Sequence, residues 1–378
     1  MTVAAAAARP LRIALLGSSR FPIAQPFAGG LEAHVWHLAH ALTERGHRVT
    51  LFGAEGTSTD VAHDVIDVHT FQMSPHARTE HMGPSWVVHE HHAYLSVMLE
   101  LAGPLAQSFD VIHNHSLHYL PIAMSSMVPV PMLTTLHTPP LAWLESAAAV
   151  PLNPNTGYAA VSEYTAQQWL PVAGPIPVVP NGIPLDRWPF GQGTGDRGGA
   201  GEYAVWTGRL VPEKGVDLAI DAARRAGYHL RIAGPAADDD YFRTAVEPRL
   251  GDGVTYEGHL MQKELADLVG GAAVALVTPQ WDEPYGLVVA EALACGTPVA
   301  AFRRGGIPEI LDDTCGRMVP ADDIDALAGA IGDAARLPRA HARARAERIC
   351  SDATMVDSYL DLYRELLTTS GRTAAVPA

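Results

Sequence analysis

Two glutamates, Glu283 and Glu291, flank an apolar run within Gln280 to Pro308, which reads QWDEPYGLVVAEALACGTPVAAFRRGGIP. With a helix starting near Gly286, the eight steps between them at ~1.5 Å cover about 12 Å along its axis. The free amides of Gly286, Leu287 and Val288 would then lie between the two carboxylates, where a helix start attracts a phosphate. A carboxylate on either side accepts hydrogen bonds from hydroxyl groups. The stretch therefore suits a ligand built as sugar, diphosphate and sugar: a nucleotide sugar. A second loop, Thr207 to Gly215, brings Arg209 and Lys214 to the mouth of a strand. A leaving group with two negative charges needs such partners, each charge-assisted bond contributing roughly 1.5–3 kcal/mol, and more where charge grows in the transition state. Lys214 is followed by Gly215 rather than Ser or Thr, which excludes a P-loop. At Gly29-Gly30 the backbone can approach a phosphate without a Cβ in the way.

These residues carry a resemblance. Glu283-Pro284-Tyr285-Gly286-Leu287-Val288, Glu291, Gly296-Thr297-Pro298-Val299, then Gly305-Gly306 and Pro308-Glu309 resemble the E-x7-E signature of retaining glycosyltransferase family 4, whose fold is GT-B. The loop from Gly208 resembles that family's G-R-x-x-x-x-K-G motif, and Gly29-Gly30-x-Glu32 its glycine loop over the donor diphosphate. The resemblance covers nearly the whole chain and implies metal-independent transfer of a sugar with retention at the anomeric carbon. It assigns Arg209, Lys214 and the amides of Gly286, Leu287 and Val288 to the diphosphate, together with Gly29 and Gly30. Glu283 would orient the donor sugar, Glu291 the ribose, His137 the hydroxyls near the anomeric centre, and Leu260 would lie beside the base. His115 would help hold the acceptor, and same-face attack would be assisted by the leaving phosphate. The donor is expected to be a UDP-, GDP- or ADP-sugar and the acceptor a sugar, lipid or small molecule, with no cofactor and no metal. Tyr285, where the family often has Phe, and Thr138-Pro139-Pro140 after His137 depart from the pattern.

The elements that must position these groups alternate as strand and helix, the signature of doubly wound α/β domains. Leu11 to Leu16 reads as a strand, Leu31 to Arg45 as a helix with Leu31, Val35, Leu38, Ala39 and Leu42 at helical spacing, and His47 to Phe52 as the next strand. A strand from Asp110 to His115 ends in polar residues and one from Pro131 to Leu136 ends at His137, and polar groups at such carboxyl ends line the ligand crevice. Ala159 to Ser162 and Ile176 to Val179 continue the alternation, and Asn181 is read as structural. Strands at 203–206, 230–233, 254–257, 273–277 and 298–301 give a second sheet. The expected division is 10–188 for an acceptor-side Rossmann-like domain, 202–352 for a nucleotide-sugar-binding one, and a helix at 353–368 returning to the first. Gly191 to Gly201 reads as a boundary loop and the tail from Thr368 as frayed. His63 to His92 is crowded with histidines, but His89-Glu90-His91-His92 lacks the i, i+4 spacing of a helical zinc motif, so a solvated segment is expected. Asp238 to Asp240 suits a helix start rather than a metal.

A length of 378 residues suits two cores. The net charge of −15 and the lack of a basic run exclude a general nucleic-acid binder. Cys295, Cys315 and Cys350 have no metal-ligand spacing and read as reduced thiols of a cytoplasmic, soluble protein. Met1 to Ala8 lacks a basic region, so no signal peptide is expected, and no apolar span suits a membrane helix. Three rival functions stay open: a nucleotide-sugar hydrolase or epimerase, a non-catalytic sugar-nucleotide binder, and a nicotinamide dehydrogenase, although Leu16 is not followed by G-x-G-x-x-G.

Overall fold

The apolar runs become strands buried on both faces, as parallel sheets covered by crossover helices require. The computed structural model describes residues 9–69, 71–79, 84–150, 153–193 and 202–371. Six strands, β1 (Arg12–Leu16), β2 (Arg48–Gly53), β3 (Asp64–Asp67), β4 (Val111–Asn114), β5 (Met132–Leu136) and β6 (Thr156–Ala160), form one sheet. Its order is β3-β2-β1-β4-β5-β6. The second sheet contains β7 (Tyr203–Thr207), β8 (His229–Ala233), β9 (Val254–Tyr256), β10 (Val274–Val277), β11 (Val299–Phe302) and β12 (Gly316–Val319). Its order is β12-β11-β10-β7-β8-β9. Counted from its own first strand, each sheet reads 3-2-1-4-5-6, and every pairing is parallel.

That order reverses direction between β1 and β4 and again between β7 and β10. Ligand crevices of doubly wound sheets open beyond the carboxyl ends of the strands at such points. The loops after β1, β4, β7 and β10 are those that carry Gly29-Gly30, His115, Arg209 with Lys214, and Glu283. Topology alone thus gathers the candidate residues at strand ends.

Helix Gly30–Glu44 buries Val35, Leu38, Ala39 and Leu42, the stripe expected of it, together with His34, Trp36 and His37. Gly46 follows with φ +83°, the left-handed residue that ends a helix. Between His63 and His92 the solvated segment expected from sequence is partly regular: β3 pairs with β2, and Ser85–Ala102 is a helix burying Ala93, Tyr94, Val97, Met98 and Leu101. Its histidines occupy the wetter first turns and obscure an apolar stripe that starts only at Ala93. Ile176 to Val179 makes a single bridge, Ala160 to Val178, rather than a strand. Asp238 caps the short helix Asp239–Tyr241 by accepting from the Tyr241 amide at 2.9 Å. Met1 to Ala8, His81, residues 194–201 of the glycine-rich loop and the tail beyond Gly371 lie outside the described residues. The three cysteines are free and buried.

The last helix, Asp352–Thr369, leaves the second sheet and packs into the first core. Met355, Val356, Tyr359, Leu360, Tyr363 and Leu367 join Ile13, Leu15, Val35 and Leu133 there. Leu360→Ala removes buried methyl groups from that seam and is expected to lower stability by about 2–5 kcal/mol, read as a lower urea midpoint with the m-value unchanged.

Candidate functional site

A cleft of about 300 Å³ lies between the carboxyl ends of the two sheets, lined from one side by Gly29, Gly30 and His137 and from the other by Arg209, Lys214, Leu260, Glu283, Gly286, Leu287, Val288 and Glu291. Eleven residues singled out in the sequence therefore meet on one surface. His115 does not reach it.

The second lobe supplies charge. Gly215, at φ +64°, starts helix Val216–Ala226 so close to β10 that a Cβ there would sit 2.2 Å from the Thr278 carbonyl oxygen. This fixes Lys214 just before the turn. Its Nζ donates to Glu283 Oε2 at 2.6 Å and lies 5.0 Å from the Trp281 ring centroid. Trp281 Nε1 donates to the same carboxylate oxygen at 3.0 Å. Lys214 and Glu283, expected to serve phosphate and sugar separately, are thus an ion pair. Arg209 makes only a loose contact, 3.8 Å, with Glu213.

Helix Leu287–Ala294 begins after Gly286, whose φ of +105° few side chains would tolerate, and no side chain caps it. Val289 N–H is already bonded to the Gly286 carbonyl at 2.9 Å, so the first helical amides, those of Leu287 and Val288, carry the anion-attracting end of the helix. Glu291 is partly buried one turn on, and burial pushes its carboxyl up to about 7. A charged carboxylate gains there from hydroxyl donors.

The first lobe closes over this end. A Cβ on Gly30 would lie 3.0 Å from Leu287 Cδ1, and one on Gly29 would lie 3.1 Å from Glu32 Oε2 and 3.8 Å from Arg209 Cδ. Glu32, quoted in the sequence as part of the glycine-loop motif but given no role, is buried, which raises its pKa against the lowering effects of its backbone, Ser18 and Arg209. The loop carrying Glu283 is also held from the first lobe. Ser162 Oγ donates to the Pro284 carbonyl at 2.5 Å, Tyr164 Oη donates to Asp282 at 2.7 Å, and Glu309 accepts from the amides of Glu163 and Tyr164. His259 Nε2 approaches the Phe27 carbonyl oxygen to 2.9 Å. Asn181 lines the cleft, and its Oδ1 has no hydrogen-bond partner among the described residues.

Behind His137 lies a group of imidazoles that the sequence did not announce. His115 Nδ1 and His137 Nε2 are 2.9 Å apart, and His115 Nε2 is 3.1 Å from His113 Nδ1. His113 also contacts Tyr363 Oη at 2.6 Å and Thr135 Oγ1 at 2.8 Å. His34 comes from the helix Gly30–Glu44 and packs against His115 and His137. Burial holds His113, His115 and His137 well below the ordinary imidazole range, and takes His34 down to about 4. All four are neutral at pH 7. His115, expected on the acceptor side, is fully buried; it touches His137 rather than the cleft. Two signals in the sequence point to this group: His34 falls on the apolar stripe, and His113 and His115, two apart, share one strand face.

Residues 28–187 match the model of Glycosyltransferase Family 4, and residues 198–348 that of Glycosyl transferases group 1. Glycogen synthase of Mycobacterium tuberculosis is 30% identical over 364 residues, covering 86% of this chain and 87% of that protein. D-inositol 3-phosphate glycosyltransferase of Mycolicibacterium smegmatis is 29% identical, covering 95% and 92%. Sucrose-phosphate synthase from Thermosynechococcus elongatus superposes with a TM-score of 0.74 at 21% identity, covering 95% of this chain and 99% of that one. Anabaena HepE in complex with UDP-glucose gives 0.72 at 17% identity, covering 94% and 100%. The paired six-stranded parallel sheets are the GT-B fold. No helix among the described residues is long and apolar enough to cross a membrane.

The turn at Gly305-Gly306 offers a test of the loop that holds Glu283. Gly305 has φ +56°, and a Cβ there would sit 2.0 Å from the Glu283 carbonyl oxygen, which also accepts from the Gly306 amide at 2.7 Å. Gly305→Ala is expected to displace Glu283 and to store about 1–3 kcal/mol of strain, seen as a lower melting temperature together with weaker nucleoside diphosphate binding by calorimetry.

Proposed function

The chain belongs to glycosyltransferase group 1/family 4 and uses a nucleotide-sugar donor, and from that premise we propose that it moves the donor's sugar to a hydroxyl acceptor with retention and without a metal at the diphosphate. The observation that carries this reading is the meeting, in one cleft, of Gly29, Arg209 and the uncapped start of helix Leu287–Ala294. The glycine leaves room for a diphosphate, the arginine matches its charge, and the helix amides donate to its oxygens.

Arg209, Lys214 and the amides of Gly286, Leu287 and Val288 stabilise the departing nucleoside diphosphate. The bond from anomeric carbon to diphosphate breaks, the acceptor oxygen bonds to that carbon on the same face, and the acceptor proton passes to the leaving phosphate oxygen. Lys214 is held ready by Glu283 and needs little reorganisation when the phosphate arrives. Glu283 and His137 orient the donor sugar, Glu291 accepts from the ribose hydroxyls, and the backbone at Leu260 lies beside the base. A neutral His137 can serve a hydroxyl as donor or acceptor. His115 acts through His137, as a positioning residue. Since HepE binds UDP-glucose, that donor heads a panel of UDP-, GDP- and ADP-sugars. The names of the curated relatives suggest glucan and inositol phosphate as first acceptors.

Nucleoside diphosphate release, followed by chromatography in EDTA, should require an acceptor, and NMR of the product should show the donor's anomeric configuration. Release without acceptor points instead to a hydrolase, and binding without release to a non-catalytic binder. Glu283→Ala and Arg209→Ala should each lower kcat at least about a hundredfold. Glu291 gives a pH test. Its carboxyl titrates near 7, and only the ionised form is a full acceptor for hydroxyls. Affinity for a nucleoside diphosphate should therefore rise about tenfold from pH 6 to pH 8 relative to Glu291→Gln, which shares the ligand's own titration but lacks this one. Parallel profiles for the two proteins would remove Glu291 from the ribose site.

A further inference from the structure

We propose that His34, His115 and His137 form a binding site for a divalent transition-metal ion of the Zn²⁺ class, on the first-lobe side of the cleft. Each offers one ring nitrogen, and the three nitrogens lie within 4.8 Å of one another. The ring centroids form a nearly equilateral triangle with sides of 5.1, 5.1 and 5.2 Å. Three imidazoles aimed at one tetrahedral ion, with metal–nitrogen bonds of ~2.0–2.1 Å, have centroids about 5 Å apart. Their nitrogens would be roughly 3.3 Å apart. The His115–His137 pair, at 2.9 Å, opens slightly to reach this spacing, and the nitrogen of His34 moves inward.

His34 is the second observation. It is 1% exposed, and neither of its ring nitrogens has a hydrogen-bond partner among the described residues. Buried polar groups without partners are rare and destabilise the fold. A metal ion satisfies one of these nitrogens directly.

The surrounding hydrogen bonds select the correct tautomer of His115. Its Nε2 is 3.1 Å from His113 Nδ1, and the Tyr363 hydroxyl approaches the same His113 nitrogen. A hydroxyl and an N–H can both donate to a bare His113 Nδ1. His113 then carries its proton on Nε2 and donates to Thr135 Oγ1, whose hydroxyl donates to Tyr359 Oη at 3.2 Å. In this arrangement the donors of His115, Tyr363, His113 and Thr135 each have an acceptor, and His115 Nδ1 is left as a lone pair facing His137. A hydrogen-bonded outer shell that fixes the tautomer of a ligating histidine is the usual support of a metal site. All three rings are neutral, the form that binds metal. His137 alone is not fully buried, so an ion would enter from the cleft and keep its fourth position on that side. This site is built from the first sheet and its first helix, whereas the diphosphate cations come from the loop after β7.

The inference does not depend on the transfer reaction, and it is tested without donor. Tag-free, full-length protein is dialysed against micromolar Zn²⁺ and its metal content measured; Co²⁺ loading supplies a visible spectrum whose intensity reports tetrahedral nitrogen coordination. About one ion per chain should be retained. His34→Ala should lose at least about tenfold in affinity and lose the Co²⁺ band, while still binding nucleoside diphosphate, which shows that the cleft is folded. His34→Asn serves if the alanine variant does not fold. A variant with His89, His91 and His92 changed to alanine should keep the ion. Absence of stoichiometric metal in the wild type, equal affinity in the His34 variants, or loss of the ion with the 89–92 variant would each overturn the assignment.

Discussion

Strand polarity is the constraint from which the rest of the structure follows. All strands of a parallel sheet present their carboxyl ends on one edge, and right-handed crossovers place consecutive helices on opposite faces where the order reverses. The chain does this twice with the same order. Setting the two edges toward each other brings eight or more loops to one cleft without any loop having to be long. Each motif loop needs only to end its strand correctly, and glycines do this where the backbone is crowded. Gly215 and Gly305 illustrate the point: both have positive φ, and both sit within about 2 Å (Cβ to carbonyl) of a neighbouring strand or loop.

The second theme is charge held in reserve. The protein as a whole carries −15, so an anionic ligand is repelled at long range and must be attracted locally. Lys214 and Glu283 are both partly buried and neutralise each other at 2.6 Å. An unpaired cation at that depth would cost desolvation energy. Pairing it with an acid removes that cost, and in the proposed reaction the same acid turns to sugar hydroxyls when phosphate arrives. Arg209 is more exposed and loosely paired with Glu213, and in the proposed reaction it is the cation placed to meet the ligand first.

Most of this was legible in the sequence, for a physical reason. A phosphate site of the proposed kind needs backbone amides, glycines and cations at fixed spacing, so Gly29-Gly30, Arg209, Lys214 and Glu283 through Glu291 appear as contiguous patterns. The helix Gly30–Glu44 and most strands of both sheets appear as apolar periodicity, whereas the edge strands β3 and β12, DVID and GRMV, carry no such signal. The residues that escaped are those whose partners lie far away in the chain. Glu309 caps a helix 145 positions earlier, and Ser162 holds Pro284. No local pattern encodes such pairs. His115 shows the opposite limit: its place after β4 was readable, but whether its ring reached the cleft depended on His137 lying in front of it.

The cleft also concentrates the residues that work against folding. Glu291 is a carboxylate whose burial raises its pKa to about 7. Between its unfolded value near 4.5 and that folded value, the native state binds the extra proton, so this group's contribution to stability falls as pH rises through the interval. Glu32 is displaced in the same direction, and among the described residues Asn181 Oδ1 and both nitrogens of His34 lack partners and no side chain caps the helix that starts after Gly286. A leucine at position 34 would fill the apolar stripe without an orphaned polar atom. Each of these positions trades stability for a group aimed at, or just behind, the same surface. The compensating burial lies elsewhere, in strands such as MLTTL of β5 and VAAF of β11 that are buried along their whole length. Unmet polarity at His34 and Asn181 and a raised carboxyl at Glu291, all at or just behind the cleft, are what is expected where a site rather than the fold dictates residue choice.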